Sequence, residues 1–166
     1  MSGEKILGCD PSLTMTGLSV IKFHVEQPPE LVHARAIDAL VAFGDFRLRM
    51  IAEIFEATVL KYGIEIVGIE ENYLHKGRSV HTALRHREVI GVLVERGIAL
   101  KCDIRRVSPS EAKKAMTGNG QAKKTEVLRC FNGMFGERHG TVAWKKAVAD
   151  AAAVAFATTT GRPAAD

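Results

Sequence analysis

The sequence predicts an α/β fold, and three observations carry that expectation. The first forty residues read as short strands in succession. Residues 64–69 form a nearly continuous apolar run, the pattern of a strand buried on both faces. Before and after that run, stretches with apolar residues at helical spacing alternate with short strand-like segments.

Taken in order, residues 5–9 and 16–23 are predicted strands, and Gln27-Pro28-Pro29 marks a turn before a third strand over 31–37. Asp45 is a plausible N-cap for a helix through Leu60, with Met50, Ile51, Ile54 and Phe55 on one stripe. Tyr62-Gly63 ends it. A long helix is expected over 80–96, stopped by Gly97. Its residues Val80, Ala83, Leu84, Ile90, Leu93 and Val94 suit burial, and Val89 and Val92 widen the apolar surface. More than one apolar stripe means a central position or a second packing partner. Residues 103–107 read as a strand. Ser108-Pro109-Ser110-Glu111 is a helix start with a cap, proline at N1 and a glutamate completing a capping box. That helix ends near Gly118. The loop Gly118-Asn119-Gly120-Gln121 follows, then a helix carrying Val127, Leu128, Phe131 and Met134. The last helix, over 143–157, is alanine-rich and so able to lie close to a sheet. Trp144 reads as an anchor at its start. Residues 1–157 are expected to form a single domain, and 158–166 a frayed tail.

The chain has 166 residues, 46% hydrophobic and 25% charged, enough for one sizeable core. The net charge of +4 suggests a polyanionic partner. No apolar run reaches the roughly 20 residues of a membrane span, and the first residues lack the pattern of a signal peptide. Cys9, Cys102 and Cys130 have no metal-ligand spacing and read as reduced core thiols, which implies a cytoplasmic protein.

The chemistry gathers on three acids. Asp10 ends the first predicted strand, in Gly8-Cys9-Asp10-Pro11-Ser12, and Glu70 ends the run at Ile69. Asp150 is the single acid within Ala147-Val148-Ala149-Asp150-Ala151-Ala152-Ala153. Burying a carboxylate alone costs several kcal/mol of hydration. Three acids that each emerge from an apolar element therefore suggest a divalent-metal site, with oxygen donors suited to Mg²⁺ or Mn²⁺. Two such ions about 4 Å apart can activate water and stabilise the leaving oxygen of a phosphodiester. The plainer alternative has Asp10 capping a turn, Glu70 closing an edge strand and Asp150 facing solvent. Lys113, Lys114, Lys123 and Lys124 bracket the glycine loop, and Arg78, Arg85 and Arg87 lie on or before the long helix. Clustered cations of this kind attract phosphates. No Walker pattern accompanies them, which disfavours nucleotide hydrolysis. His75, His81, His86 and His139 match no zinc spacing and are expected at the surface.

Asp10-Pro11 with Thr16-Gly17, Ile69-Glu70 with Tyr73, the lysine-glycine-lysine loop and Ala149-Asp150-Ala151 on the last helix resemble, in order, the RuvC family. These are Holliday-junction endonucleases of the ribonuclease H-like superfamily. The resemblance spans almost the whole chain. It implies a ribonuclease H-like fold, with a mixed central β-sheet flanked by α-helices. It implies that Asp10, Glu70 and Asp150 are catalytic, metal-binding acids, with Asp10 bridging two Mg²⁺ ions for which Mn²⁺ can substitute. It places Lys113 and Lys124 on DNA, with Lys114 and Lys123 beside them, and Tyr73 at the centre of a four-way junction. The active form would be a homodimer built on the long helix. One departure stands out: the family's last helix carries a second ligand, Asp or His, where this chain has Ala147. A reduced ligand set, a substitute such as Glu137 or His139, and an alanine introduced to silence the enzyme all remain open. So do two other functions: a junction-binding protein that has lost catalysis, and a nuclease for RNA–DNA hybrids or other structured nucleic acid.

Overall fold

The computed structural model describes residues 3–42, 44–71 and 80–160. Its centre is a five-stranded sheet. Strand β1 (Glu4–Asp10) is followed by β2 (Met15–Phe23), β3 (Glu30–Asp38), β4 (Ile66–Glu70) and β5 (Asp103–Val107), in spatial order β3-β2-β1-β4-β5. The first three pair antiparallel as a meander, while β1–β4 and β4–β5 pair parallel. The sheet is therefore mixed, as expected. The parallel strands need crossovers, and helices α1 (Phe46–Tyr62) and α2 (Val80–Ala99) lie in them. Helices α3 (Pro109–Thr117), α4 (Lys124–Phe135) and α5 (Val142–Thr160) complete the chain.

Each sheet face has its own core. Leu7, Cys9, Val67 and Ile69 point toward α1 and α2 and meet Ile51, Phe55, Val89 and Leu93. Ile6, Ile21 and Ile66 point the other way, toward α3, α4 and α5, and meet Val127, Phe131, Val148 and Val154. Side chains alternate along a strand, so Asp10 and Glu70 share the face of Ile6 and Ile66, which α5 covers.

On that face α5 lies almost on the backbone of the sheet. A Cβ added to Gly8 would stand 1.9 Å from the Ala151 carbonyl oxygen. One on Gly17 would stand 2.1 Å from the Ala147 oxygen, and one on Gly68 2.0 Å from Thr158 Oγ1. Three glycines on three neighbouring strands thus meet a helix of small residues. The Ser19 hydroxyl, wholly buried, donates to the Val148 carbonyl at 2.8 Å.

Several boundaries differ from expectation. Gly97 does not stop α2, which continues to Ala99. The glycine serves packing: a Cβ there would meet Ile104 Cδ1 at 2.3 Å. The turn falls at Lys101, with φ at 61°, whose N–H donates to the Ile98 carbonyl. Strand β4 begins at Ile66 rather than Ile64. Asp45 precedes α1 but makes no side-chain capping bond; its carboxylate faces Arg85 at 3.7 Å. Helix α5 runs past the expected end at 157. Thr158 is 1% exposed, its hydroxyl donates to the Val154 carbonyl at 2.7 Å, and the Thr158 carbonyl accepts from the Arg105 guanidinium at 3.0 Å. The start of the expected tail is therefore helix, and residues 161–166 lie outside the described residues. The capping box at Ser108 forms as read: the hydroxyl accepts from Glu111 N–H at 3.2 Å, and Glu111 accepts from Ser108 N–H at 2.8 Å. Within α2, Val89, Ile90 and Leu93 are buried, but Val80 and Leu84, expected inside, are exposed.

Candidate metal and nucleic-acid site

The register brings the first two acids together. Cys9 of β1 pairs with Ile69 of β4 in parallel, so Asp10 and Glu70 leave the sheet side by side at the carboxyl ends of adjacent strands. Ligands of open α/β sheets bind at such ends. The chain then turns at Pro11. Thr16, fully buried, locks that turn: its hydroxyl donates to the Ser12 carbonyl at 2.6 Å and accepts from Ser12 N–H at 3.1 Å. Beyond Glu70, Glu71 N–H donates to the Val107 carbonyl at 2.8 Å. The Glu71 carboxylate holds Arg87, and also Arg106 at 3.5 Å. Both strand ends are thus held from behind.

Helix α5 supplies the third acid. Ala147 rests over Gly17 and Ala151 over Gly8, which sets Asp150, 8% exposed, between β1 and the cleft. Asp10, Glu70 and Asp150 line one open cleft of about 690 Å³. Lys113 of α3 and Lys124 of α4 line it too. The Lys124 ammonium makes an ion pair and hydrogen bond with Asp150 Oδ2. Lys114 and Lys123 are exposed and lie outside that lining, so the four loop lysines divide into two pairs. Tyr73, Arg78 and His75 fall outside the described residues.

The electrostatics follow from this arrangement. Burial raises the Asp150 carboxyl above its ordinary pKa, and Lys124, Lys113 and Lys146 pull against that rise without cancelling it. Burial works against the Lys124 ammonium, yet Asp10, the hydrogen-bonded Asp150 and Glu70 outweigh it and raise its pKa. Lys124 is therefore firmly charged, a fixed cation among three carboxylates. Among the described residues no group of three His, Cys, Asp or Glu side chains is drawn together closely enough to hold a metal ion as it stands. The donor set still has the chemistry for a hard divalent cation: three carboxylates on one cleft and no sulfur. The cation already seated on Asp150 marks where positive charge is wanted.

Ala147 is buried and lines the cleft, so α5 offers one acid there, not two. Glu137 does not take its place: it is exposed, pairs with Lys145 at 3.1 Å and lies outside the lining, as does the exposed His139. Two residues went unnoticed as cleft residues in the sequence. His86 of α2, expected at the surface, is half-buried and lines the cleft. Lys146, one turn before Asp150 on α5, lines it as well. For Lys146 a signal existed, since positions 146 and 150 share a helix face. For His86 there was none, because the rotation of α2 is set by its packing on the sheet.

The mixed sheet, a three-stranded antiparallel meander joined to two parallel strands with helices on both faces, has the ribonuclease H-like fold. Solved structures agree on the fold. Thermus thermophilus RuvC in complex with Holliday junction substrate superposes with a TM-score of 0.79 at 22% identity, covering 93% of this chain and 92% of that one. The yeast mitochondrial Holliday junction resolvase gives 0.68 at 14% identity, covering 94% and 78%. The family model for crossover junction endodeoxyribonuclease RuvC matches residues 6–158, and the chain belongs to the RuvC family. RuvC of Bacteroides fragilis is 32% identical over 124 residues, 74% of this chain and 64% of that protein. RuvC of Clavibacter michiganensis is 29% identical over 124 residues, again 74% of this chain. The chain spans about 60% of the length of that Clavibacter relative.

Proposed function

We propose that the protein is a Mg²⁺-dependent endonuclease that resolves four-way DNA junctions. The observation that carries this reading is the convergence of Asp10, Glu70 and Asp150 on one cleft beside Lys113 and Lys124, in a chain of the RuvC family. Asp10, Glu70 and Asp150 would hold Mg²⁺, or Mn²⁺ in its place, at two ions per site. When bound, the metal supplies Lewis-acid activation of the phosphate and of the attacking water. The chain's own side chains do the rest. Lys113 and Lys124 bind the phosphates flanking the scissile bond and fix its register over the acids. The buried wall of α5 excludes bulk water behind Asp150, which strengthens each charge–charge contact in the cleft. Lys124 must exchange part of its bond with Asp150 for substrate phosphate when DNA arrives. Lys114 and Lys123 add diffuse attraction from outside the cleft. Tyr73, three residues beyond Glu70, would stack on an unpaired base at the junction centre.

The active form would be a homodimer, whose two-fold symmetry matches two symmetric nicks. The exposed Val80 and Leu84 of α2, at 68% and 60%, are the apolar surface on which that assembly would form. The protein would act in the cytoplasm, on recombination and repair intermediates. Among the described residues no helix is long and apolar enough to cross a membrane.

A second reading is favoured by Ala147 and by the lysine seated on Asp150: a junction binder with weak or lost catalysis. One gel separates them. End-labelled four-way junction, linear duplex and RNA–DNA hybrid are incubated with Mg²⁺. Paired symmetric cuts in the junction alone support the proposal; binding without cuts supports the second reading; cuts in the hybrid overturn the substrate assignment.

A further inference from the structure

Three acids line the cleft, and so do three lysines: Lys113, Lys124 and Lys146. The third has a different character from its neighbour in sequence. Lys145 turns away and pairs with Glu137 at 3.1 Å. Lys146 is half-buried, faces the cleft and has no salt-bridge partner among the described residues. It stands four residues before Asp150, so both side chains project from one face of α5. The residue between them on that face, Ala147, carries no charge. An ammonium held half-buried over a carboxylate cleft, close enough to act on Asp150 yet in no salt bridge among the described residues, loses hydration that an anionic substrate can restore.

We propose that Lys146 is a substrate-positioning cation of this cleft, which contacts the DNA phosphate lying over Asp150 and offsets carboxylate charge that divalent metal would otherwise neutralise. The inference rests on the nuclease reading above and deepens it. The cleft is then balanced, three against three, before any metal enters. With Ala147 in place of an acid, α5 presents one negative and one positive group where two acids would draw metal more strongly. Metal affinity falls, and phosphate affinity rises in exchange.

The test uses the full chain and two readouts that need no turnover. In the first, junction binding is measured against salt in the absence of divalent metal. Lys146→Ala should lower the log–log slope by about 0.9, one phosphate contact. Lys146→Arg should keep it, and Lys145→Ala should leave it unmoved. In the second, thermal stability is followed as Mn²⁺ is added. Lys146→Ala should respond at a Mn²⁺ concentration at least about threefold lower than wild type, because a like charge beside the ion is gone. A slope equal to wild type overturns the proposal. So does an equal loss in Lys145→Ala, which would mean a diffuse field instead of a contact, or an unmoved Mn²⁺ midpoint. Asp10→Asn is run alongside. If it keeps the full wild-type response to Mn²⁺, or if no variant responds at all, the metal-site reading fails, and the salt slope alone decides the role of Lys146.

Discussion

The two faces of the sheet are built by opposite means. Against α1 and α2 the sheet presents Leu7, Cys9, Val67 and Ile69, and the helices answer with Ile51, Phe55, Val59 and Leu93, all nearly inaccessible. Spacing there is set by side-chain volume. Against α5 the sheet presents Gly8, Gly17 and Gly68, and the helix answers with alanines and the backbone itself. Spacing there is set by main-chain contact, which leaves little room for adjustment. All three acids belong to this second face. Both faces bury apolar side chains, but only the α5 face adds main-chain contacts that fix where Asp150 stands over β1 and β2.

The contrast can be broken from either side. Phe55→Ala should produce the largest stability loss, about 3–5 kcal/mol in denaturant unfolding. Cleavage per folded molecule should stay within about twofold, since no acid moves. Gly8→Ala should do the reverse. Its methyl would collide with the Ala151 carbonyl, so α5 must lift; the expected cost is about 1–3 kcal/mol. Junction cleavage should fall by about 10²-fold, because a shift near 1 Å at a reacting centre has that effect. Equal cleavage losses in both variants would erase the distinction between the faces.

Ala147→Asp sharpens the account of the α5 face. A second carboxylate one turn from Asp150 should increase Mg²⁺-dependent cleavage. Repulsion should also lower the metal-free melting temperature, with recovery on adding Mn²⁺. Unchanged activity and an unchanged metal response would mean that the cleft is complete without that ligand. The lysines come next in size. Lys113→Ala with Lys124→Ala should weaken binding to every DNA shape and reduce the salt slope by about 1.8, two contacts at 0.9 each. Lys114→Ala with Lys123→Ala should change it far less.

The smallest effect concerns the capping box of α3. The Ser108 hydroxyl and Ser108 N–H lower the pKa of the Glu111 carboxyl. A lowered acid contributes stability above its unfolded pKa and loses it as pH falls through the folded one. Glu111→Ala should therefore cost about 0.5 kcal/mol near neutral pH, a value kept small by solvent screening. The difference should vanish in acid. A gap that persists at low pH would assign the loss to packing instead.

That Asp10, Glu70 and Asp150 would meet at one cleft was legible because burial and charge conflict openly in the sequence. Asp10 and Glu70 stand where apolar strands end, and Asp150 is the lone acid in an alanine run, so each demanded a partner. Local chemistry was equally readable at Ser108–Glu111, where the capping signal involves four consecutive residues. What stayed hidden depends on contacts distant in sequence. Gly97 reads as a helix stop, yet it is there to admit Ile104. Thr158 reads as the start of a tail, yet it covers Gly68 and back-bonds to Val154. Gly8, Gly17 and Gly68 look like ordinary strand glycines until α5 is laid across them. His86 enters the cleft only because packing fixes how α2 is rotated, and no local pattern encodes that rotation, whereas Lys146 was readable from its place one turn before Asp150.

We propose that Asp10 works in a metal-dependent cut of branched DNA, on the face covered by α5. The most direct measurement is single-turnover cleavage of a labelled four-way junction by wild type and by Asp10→Asn, across a Mg²⁺ titration, with junction affinity measured in parallel. Wild type should cut two symmetric strands as Mg²⁺ rises. Asp10→Asn should be slower by on the order of 10³-fold, with affinity for the junction retained. Cleavage by Asp10→Asn at the wild-type rate, with the same Mg²⁺ dependence, would contradict the account.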